Sequence, residues 1–429
     1  LLERAYVDGA VRDEVLVEIA DGRFTRVEVG GTGGEPLPGL TIPGLANCHS
    51  HAFHRALRGR TQRDRGSFWT WREQMYAVAE RLDPDSYEEL ARAVFREMVA
   101  SGISAVGEFH YLHHQPDGTP YDEPNAMGHA LIRAAHDAGI RLALLDTCYL
   151  SSGFGAPVAG AQLCYSDGTA DAWAVRTQQL CSSATTDDVV IGAAIHSVRA
   201  VPRDQLATVG SLPGPLHVHL SEQVAENDAC LAAYGVTPTA LLDEAGVLGP
   251  RTSVVHATHL TPDDVEALGR TGTHSCFCPT TERDLADGIG PSTRLRDAGS
   301  PLTLGSDSHA VIDLFEEMRA VELDERLATQ QRGHWRANEL LDAATVTGHA
   351  SLGFPDAGRI AVGQRADLVT LDPGSPRTAG TGSTTETVVF AAGPADVRQV
   401  VIGGRIVFTP DDAPAIGQDL ARAIERITA

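Results

Sequence analysis

The chain has 429 residues, more than one average domain, although barrels of alternating strands and helices often reach about 250 residues or more as one unit. Its 57 acidic residues outnumber its 34 basic ones, and the formal net charge of -23 repels nucleic acid backbones and anionic membrane surfaces. The composition therefore argues against nucleic acid and membranes as partners. It allows a small anionic substrate only where arginines make the local charge positive.

The two ends of the chain predict short strands. Residues 1–40 contain alternating apolar and polar segments separated by Asp-Gly turn signals, and similar patterns return at 366–372, 388–390 and 397–408. We expect residues 1–40 and 361–410 to pair into one small β-domain, a β-sandwich built from both chain ends. Residues 411–429 are predicted to form a C-terminal helix.

Residues 41–360 predict an α/β fold, a (β/α)8 barrel of the TIM type. Strand-like runs alternate there with amphipathic stretches such as 85–99, a pattern that favours parallel βα units. The eight strand candidates are 42–48, 104–110, 141–147, 189–196, 215–220, 252–257, 273–278 and 301–306. In such barrels the active site lies at the carboxyl ends of the strands.

Candidate metal ligands stand where four of these strands end. His49 and His51 form a His-x-His pair, and further candidates follow in three later segments (His219 with Glu222, His256, Asp307). Alternation along a strand points His49 and His51 to the same side. A His-x-His pair is weak evidence in a chain with 17 histidines, but the agreement of four segments is stronger. Zinc prefers nitrogen and carboxylate ligands, and a catalytic zinc keeps one position open for water.

All 34 basic residues are arginines, because the sequence contains no lysine. Schiff-base catalysis is thereby excluded. The carbamylated lysine that bridges two metals in many barrel hydrolases is excluded as well. We therefore expect one divalent metal ion, with zinc as the first choice, rather than a pair.

The cysteines and the hydropathy indicate where the protein works. The seven cysteines are scattered and contain no Cys-x-x-Cys pair, which suits a reducing compartment. No stretch approaches the roughly 20 apolar residues of a membrane span, and the first residues do not read as a secretion signal. We expect a cytoplasmic protein.

Several motifs together resemble the amidohydrolase superfamily along nearly the whole chain: the His-x-His pair, His219, His256, Gly305-Ser-Asp and residues 358–368. Within that superfamily, residues 47–53, 68–76, 108–114 and 278–282 look like those of formimidoylglutamate deiminases, with Phe68-Trp-Thr-Trp-Arg the most discriminating part. The resemblance implies hydrolysis of N-formimidoyl-L-glutamate to N-formyl-L-glutamate and ammonia, a step of histidine breakdown. It also implies a homodimer.

The candidate residues can be given roles. We expect His49, His51, His219 and Asp307 to bind a metal that lowers the pKa of a bound water to about 7. Asp307 is also suited to accept that water's proton, and Glu222 to deliver a proton to the leaving nitrogen. The resemblance gives His256 the task of orienting the hydroxide or polarising the reacting carbon.

The implied substrate has two carboxylates, which arginine grips with paired hydrogen bonds. Arg72 and Arg199 are the candidates, and the resemblance adds Tyr111 and His196 as donors. One position departs from the family pattern: His54 stands where glutamine is usual. Imidazole still forms hydrogen bonds, with different geometry and pH dependence.

Two other functions stay open. A single-metal deaminase acting on a purine, pyrimidine or triazine ring would use the same ligands with aromatic stacking, yet only 5% of the residues are aromatic. A noncatalytic binding protein on a decayed barrel would be expected to have lost a ligand or Glu222. Glu222 alone is also compatible with a helix N-terminal carboxylate, and Arg72 and Arg199 with surface ion pairs.

Overall fold

The computed structural model describes residues 1–62 and 68–428, and the side chains of residues 68 and 69 lie outside the described part. The motif at 68–76 is therefore covered only in part. The strands in chain order are β1 (Leu2–Val7), β2 (Ala10–Ala20), β3 (Arg23–Val29), β4 (Leu37–Pro43), β5 (Leu45–Ser50), β6 (Ile103–His110), β7 (Arg141–Cys148), β8 (Ser151–Gly153), β9 (Ala156–Pro157), β10 (Val189–Ile195), β11 (Leu216–Leu220), β12 (Thr252–His256), β13 (His274–Phe277), β14 (Leu302–Leu304), β15 (Leu368–Leu371), β16 (Val397–Ile402) and β17 (Arg405–Phe408).

The helices of the same ranges are α1 (Phe68–Ala79), α2 (Pro84–Ala100), α3 (Ala126–Ala138), α4 (Ala170–Ala184), α5 (Leu206–Gly210), α6 (Val224–Tyr234), α7 (Pro238–Glu244), α8 (Pro262–Thr271), α9 (Pro279–Asp284), α10 (Ser292–Ala298), α11 (Leu314–Thr329), α12 (Ala337–Asp342), α13 (Gly348–Ser351), α14 (Thr385–Phe390) and α15 (Ala413–Thr428). No helix in these ranges is both long enough and apolar enough to cross a membrane.

The eight strands of the barrel lie side by side in the order β14-β13-β12-β11-β10-β7-β6-β5, and every neighbouring pair is parallel. A parallel bridge between Ser50 and Asp307 joins the two edge strands where they end. The predicted (β/α)8 barrel is confirmed. Its strands are almost entirely buried, as expected when helices cover a parallel sheet.

Strands from both chain ends form a second sheet, as predicted, in the order β17-β16-β15-β4-β1-β2-β3. One predicted boundary is wrong, because the candidate strand 42–48 spans the end of β4 in this sheet and the start of β5 in the barrel. Gly44 separates the two, and a Cβ there would lie 2.2 Å from the Ser104 hydroxyl. The domain limits of 1–40 with 361–410, 41–360 and 411–429 stay a proposal.

One predicted strand is wrong. Residues 388–390 belong to the short helix α14, in which Val388 and Val389 are fully buried. A short apolar run fits a buried helix as well as a buried strand, and periodicity alone does not separate them.

Helix α2 shows how the sequence sets the outer layer. Asp83 caps it by accepting a hydrogen bond from the Ser86 backbone N–H, and the Ser86 hydroxyl accepts one from the Asp83 backbone N–H. Pro84 occupies the first turn. The inner face buries an apolar stripe that includes Leu90, Val94 and Met98. Such helices hold the strands whose ends carry the site.

Candidate active site

Four side chains converge at the carboxyl ends of β5, β11 and β14. The His219 Nε2 lies 3.0 Å from the His49 Nε2, and the Nε2 atoms of His49 and His51 each lie 3.3 Å from the Asp307 Oδ1. One ligand atom from each of the four residues lies within 4.8 Å of the others. The residues predicted as metal ligands are therefore brought together.

Hydrogen bonds at the Nδ1 atoms orient two of the imidazoles, those of His51 and His219. The His51 Nδ1 donates to the Phe109 carbonyl at 3.0 Å, and the His219 Nδ1 donates to the His196 carbonyl at 2.9 Å. These bonds leave both Nε2 atoms facing the centre as acceptors, the arrangement typical of metal-binding histidines.

The protonation states suit metal binding. Burial lowers the pKa of His49 to about 4 and that of His219 well below its ordinary value, so both rings are neutral. Burial opposes ionisation of Asp307, but the adjacent imidazoles of His49 and His51, whose Nε2 atoms each lie 3.3 Å from its Oδ1, hold the pKa of Asp307 well below its usual range. Metal ligands must be neutral imidazoles and ionised carboxylates. The donor set therefore fits a divalent metal ion.

His256 stands beside this group and not in it. Its Nε2 lies 3.8 Å from the Glu222 Oε1 and 3.9 Å from the Asp307 Oδ2, and its Nδ1 lies 3.4 Å from the Glu282 Oε1. Burial alone would lower the pKa of His256, but the charge of Glu222 and the adjacent Glu282 carboxylate raise it well above its ordinary value. Burial raises the pKa of Glu222. A charged imidazole and a carboxyl suited to act as an acid thus stand together.

The backbone is strained at three of these strand ends. Ser221, His256 and Asp307 have φ angles of 50°, 71° and 40°, in a region that residues other than glycine seldom adopt. Such conformations persist only where the surrounding structure enforces them, and they cluster at functional sites.

A chain of hydrogen bonds connects the end of β5 to the loop after β14. Glu108 accepts bonds from the Ser50 hydroxyl at 2.5 Å and from the Ala52 N–H at 2.6 Å. Ser50 also lies 3.0 Å from the His309 Nε2, and the His309 Nδ1 lies 3.0 Å from the Ser306 hydroxyl. This chain of contacts holds the His-x-His segment beside Asp307. Glu108 belongs to the motif at 108–114, but the sequence alone does not predict its role.

Gly305 permits the close approach of the same two segments. A Cβ at this position would lie 2.7 Å from the His49 Cβ and 2.8 Å from the His49 backbone nitrogen. Any larger residue would therefore push Asp307 away from His49.

A cavity of about 710 Å³ opens onto the ligand group. Its lining includes ten residues predicted for the site, Asp307 and nine others: His51, His54, Arg72, Tyr111, His196, Arg199, His219, Glu222 and His256. His49, in contrast, is completely buried. The structure thus places every predicted substrate-binding residue at one cavity.

Polar contacts link the cavity walls. The Arg72 Nε donates to the Tyr76 hydroxyl at 2.6 Å, and the Gln162 side-chain amide donates to Tyr76 at 3.1 Å and to Tyr149 at 2.9 Å. The Arg199 Nη1 donates to the Ser152 carbonyl at 3.1 Å.

The His54 Nε2 lies 3.0 Å from the Tyr111 hydroxyl. Sequence reasoning missed Gln162 and Tyr149, although the position of Tyr149 directly after β7 was a usable signal.

A second histidine and aspartate group lies outside the cavity. His110, His113 and Asp146 have potential ligand atoms within 4.8 Å of one another. The Arg176 guanidinium, however, donates two bonds of 2.8 Å to Asp146 and further bonds to Asp167. Arginine already neutralises this carboxylate, so the group is a buried ion pair.

Comparison with known proteins agrees with the geometry of the site. The model of the amidohydrolase family matches residues 40–407. The chain belongs to the amidohydrolase family. The formimidoylglutamate deiminase of Pseudomonas aeruginosa is 38% identical to this amidohydrolase over 424 residues, which cover 94% of this chain and 93% of that protein. The family and this relative make the protein a hydrolase that acts on C–N bonds.

Two further proteins are similar to this amidohydrolase over most of their length. A 5-methylthioadenosine/S-adenosylhomocysteine deaminase of Natronomonas pharaonis is 30% identical, with 86% of this chain and 81% of that protein covered. The crystal structure of an amidohydrolase from Brucella melitensis superposes with a TM-score of 0.91 at 30% identity and covers 100% of this chain and 99% of that one. The predicted family and fold class are confirmed.

Proposed function

We propose that the protein is a metal-dependent deiminase that converts N-formimidoyl-L-glutamate and water to N-formyl-L-glutamate and ammonia, a step of histidine breakdown. One observation carries the proposal: the cavity lined by the ligand group is also lined by Arg72 and Arg199. A substrate with two carboxylates and a hydrolysable C–N bond satisfies both features, because arginine binds carboxylates through paired, charge-assisted hydrogen bonds. The relative from Pseudomonas aeruginosa supports the same substrate.

The proposed metal ligands are His49, His51, His219 and Asp307. We propose zinc, because imidazole and carboxylate donors are among those it prefers. When bound there, the ion would lower the pKa of a water to about 7 and so supply hydroxide at neutral pH.

The side chains around the ion divide the proton transfers between them. Asp307 accepts the proton of the attacking water, and Glu222 gives a proton to the leaving nitrogen as the C–N bond breaks. The charged His256 ring lies between the two carboxylates, at 3.8 Å from Glu222 and 3.9 Å from Asp307. It is placed to polarise the amidine carbon and to favour attack.

The remaining lining residues bind the substrate. Arg72 and Arg199 take the two carboxylates, and His196 and Tyr111 donate further hydrogen bonds. His54 contacts Tyr111 at 3.0 Å and therefore acts on the same part of the cavity. Work in the cytoplasm as a homodimer is part of the proposal and rests on the family resemblance.

A ring deaminase is the second candidate, because one specific observation favours it. Although few residues are aromatic overall, Trp71, Tyr76, Tyr111, Tyr149 and Tyr165 all line the cavity. Hydrogen bonds at Tyr76, Tyr111 and Tyr149 place these rings in the polar network of the walls. A decayed, noncatalytic barrel finds no support, since the ligands and Glu222 are all in place.

Ammonia release distinguishes the candidates. The purified enzyme, loaded with zinc, is offered N-formimidoyl-L-glutamate, 5-methylthioadenosine, guanine and cytosine at equal concentrations. We expect ammonia from the first compound. Turnover of a ring compound together with no release from N-formimidoyl-L-glutamate would overturn the proposal.

A further inference from the structure

Asp287 is a buried carboxyl group directly behind the proposed proton donor. It is 4% exposed and lies in the loop after α9. One oxygen of Asp287, one oxygen of Glu222 and a ring nitrogen of His256 all lie within 4.8 Å of one another. Asp287 does not line the cavity, so it acts on the reaction only through its neighbours.

Three neighbouring segments hold Asp287 in this place. The Gln223 side-chain amide donates to the Asp287 Oδ1. The His259 Nε2 donates to the Asp287 carbonyl at 2.8 Å, and the Asp287 N–H donates to the Glu282 carbonyl at 2.9 Å. These three bonds fix the backbone and one carboxyl oxygen of Asp287. Their partners lie in the segments that follow β11, β12 and β13.

The other oxygen, Oδ2, is buried and receives no hydrogen bond from any described residue. A buried carboxylate oxygen without a donor is costly, whereas a protonated oxygen can donate a bond itself. The titratable groups that face Asp287 are Glu222, His256, Glu282 and Asp307. Burial, together with the charge of Glu222, raises the pKa of Asp287 to about 8, so that this carboxyl keeps its proton at neutral pH.

We propose that Asp287 is a positioning residue that donates a hydrogen bond from its protonated Oδ2, through one bridging water, to the Glu222 carboxyl group. This inference rests on the proposed function and assigns a supporting group to its proton transfer. When Glu222 gives its proton to the leaving nitrogen, the C–N bond breaks and Glu222 becomes a carboxylate. The bond from Asp287 stabilises that carboxylate, and Asp287 keeps its own proton throughout.

The test compares two variants at this position. Asp287→Asn keeps an N–H donor of the same shape, whereas Asp287→Ala removes the donor. We expect Asp287→Asn to retain kcat within about threefold and Asp287→Ala to lose about tenfold or more in kcat with KM nearly unchanged. Loss of the bond also disfavours the ionised form of Glu222, so the basic limb of kcat moves to higher pH in Asp287→Ala only.

Two measurements keep the test independent of folding and of the proposed function. Asp284→Asn makes the same change in an exposed residue of the same segment and serves as the matched control, and zinc content is measured in every variant. Full kcat in Asp287→Ala, or equal losses in both Asp287 variants, would overturn the positioning role. Wild-type enzyme that releases no ammonia from N-formimidoyl-L-glutamate would overturn the substrate assignment alone, and the variants are then compared on the compound that it does hydrolyse.

Discussion

The Nε2 atoms of His49 and His219 lie 3.0 Å apart, although 170 positions separate the two residues in the sequence. They belong to β5 and β11, which are four places apart in the order of the barrel strands. Two nitrogens bound to one zinc at about 2.1 Å can be no more than about 4.2 Å apart. The barrel thus presents two neutral imidazoles at a spacing that suits a shared ion.

Removal of the metal is expected to abolish ammonia release and to lower the midpoint of thermal unfolding. The ion stabilises only the folded state, because the four ligands meet only there. Dialysis against a chelator, followed by differential scanning calorimetry, measures the second effect, and added zinc should reverse both. His219→Ala, which removes one ligand, should bind less than one equivalent of zinc under the same conditions. Full activity in metal-free enzyme would contradict the proposed site.

Glu222→Gln is expected to lower kcat by about 10³-fold, because a positioned acid contributes about 10²- to 10⁴-fold and glutamine cannot transfer a proton. Metal content should stay at the wild-type value, since Glu222 is not among the four converging ligands. Fixed-time assays of ammonia release measure kcat, and elemental analysis measures metal content. Glu244→Gln, at an exposed glutamate paired with Arg203, is the control and should leave kcat unchanged. Retained turnover in Glu222→Gln would remove this residue from the mechanism.

Arg72→Met and Arg199→Met are each expected to raise KM for N-formimidoyl-L-glutamate by about 10- to 100-fold, because each removes charged hydrogen bonds worth about 1.5–3 kcal/mol. Steady-state kinetics at fixed ionic strength measures the change. Arg203→Met, at an arginine that is 49% exposed, is the matched control. Unchanged KM in both cavity variants would show that the substrate carboxylates bind elsewhere.

Asp146→Asn is expected to reduce the free energy of unfolding by about 1.5–3 kcal/mol, because it removes the charge of one of the two carboxylates that bind the buried Arg176 and leaves only Asp167 to balance it. Burial alone would raise the pKa of Asp146, but the charge of Arg176 holds it well below the ordinary value of 3.8. For a carboxyl with a depressed folded pKa, the stabilisation is complete above the unfolded pKa and is lost as the pH falls through the folded one.

Urea unfolding at pH 7 and at steps below pH 4 measures this stability. The wild type should approach the variant only at the acidic end. Asp137→Asn, at a half-exposed residue, should cost no more than about 1 kcal/mol. A difference between wild type and Asp146→Asn that does not shrink with acid would contradict the ion-pair explanation.

The sequence predicted the barrel and the convergence of the proposed ligands because both depend on local patterns. Strands alternate with helices at regular spacing, and each ligand stands at or directly after an apolar run, so parallel strand order brings His49, His219 and Asp307 to one edge. Local patterns were less informative at the chain ends, where residues 388–390 form helix α14 and residues 37–43 pair with β15.

The sequence by itself determined the chemistry that is available: a lysine-free chain, three imidazoles and a carboxylate at strand ends, and a glutamate three residues beyond His219. Only the tertiary structure decided what surrounds that chemistry. The cavity walls at Tyr149 and Gln162 and the carboxyl of Asp287 come from segments without periodicity. Glu108 lies in the predicted strand β6, but its role depends on contacts with Ser50 and Ala52. Their positions follow from packing between distant elements, and burial, which sets their protonation, exists only in the folded chain.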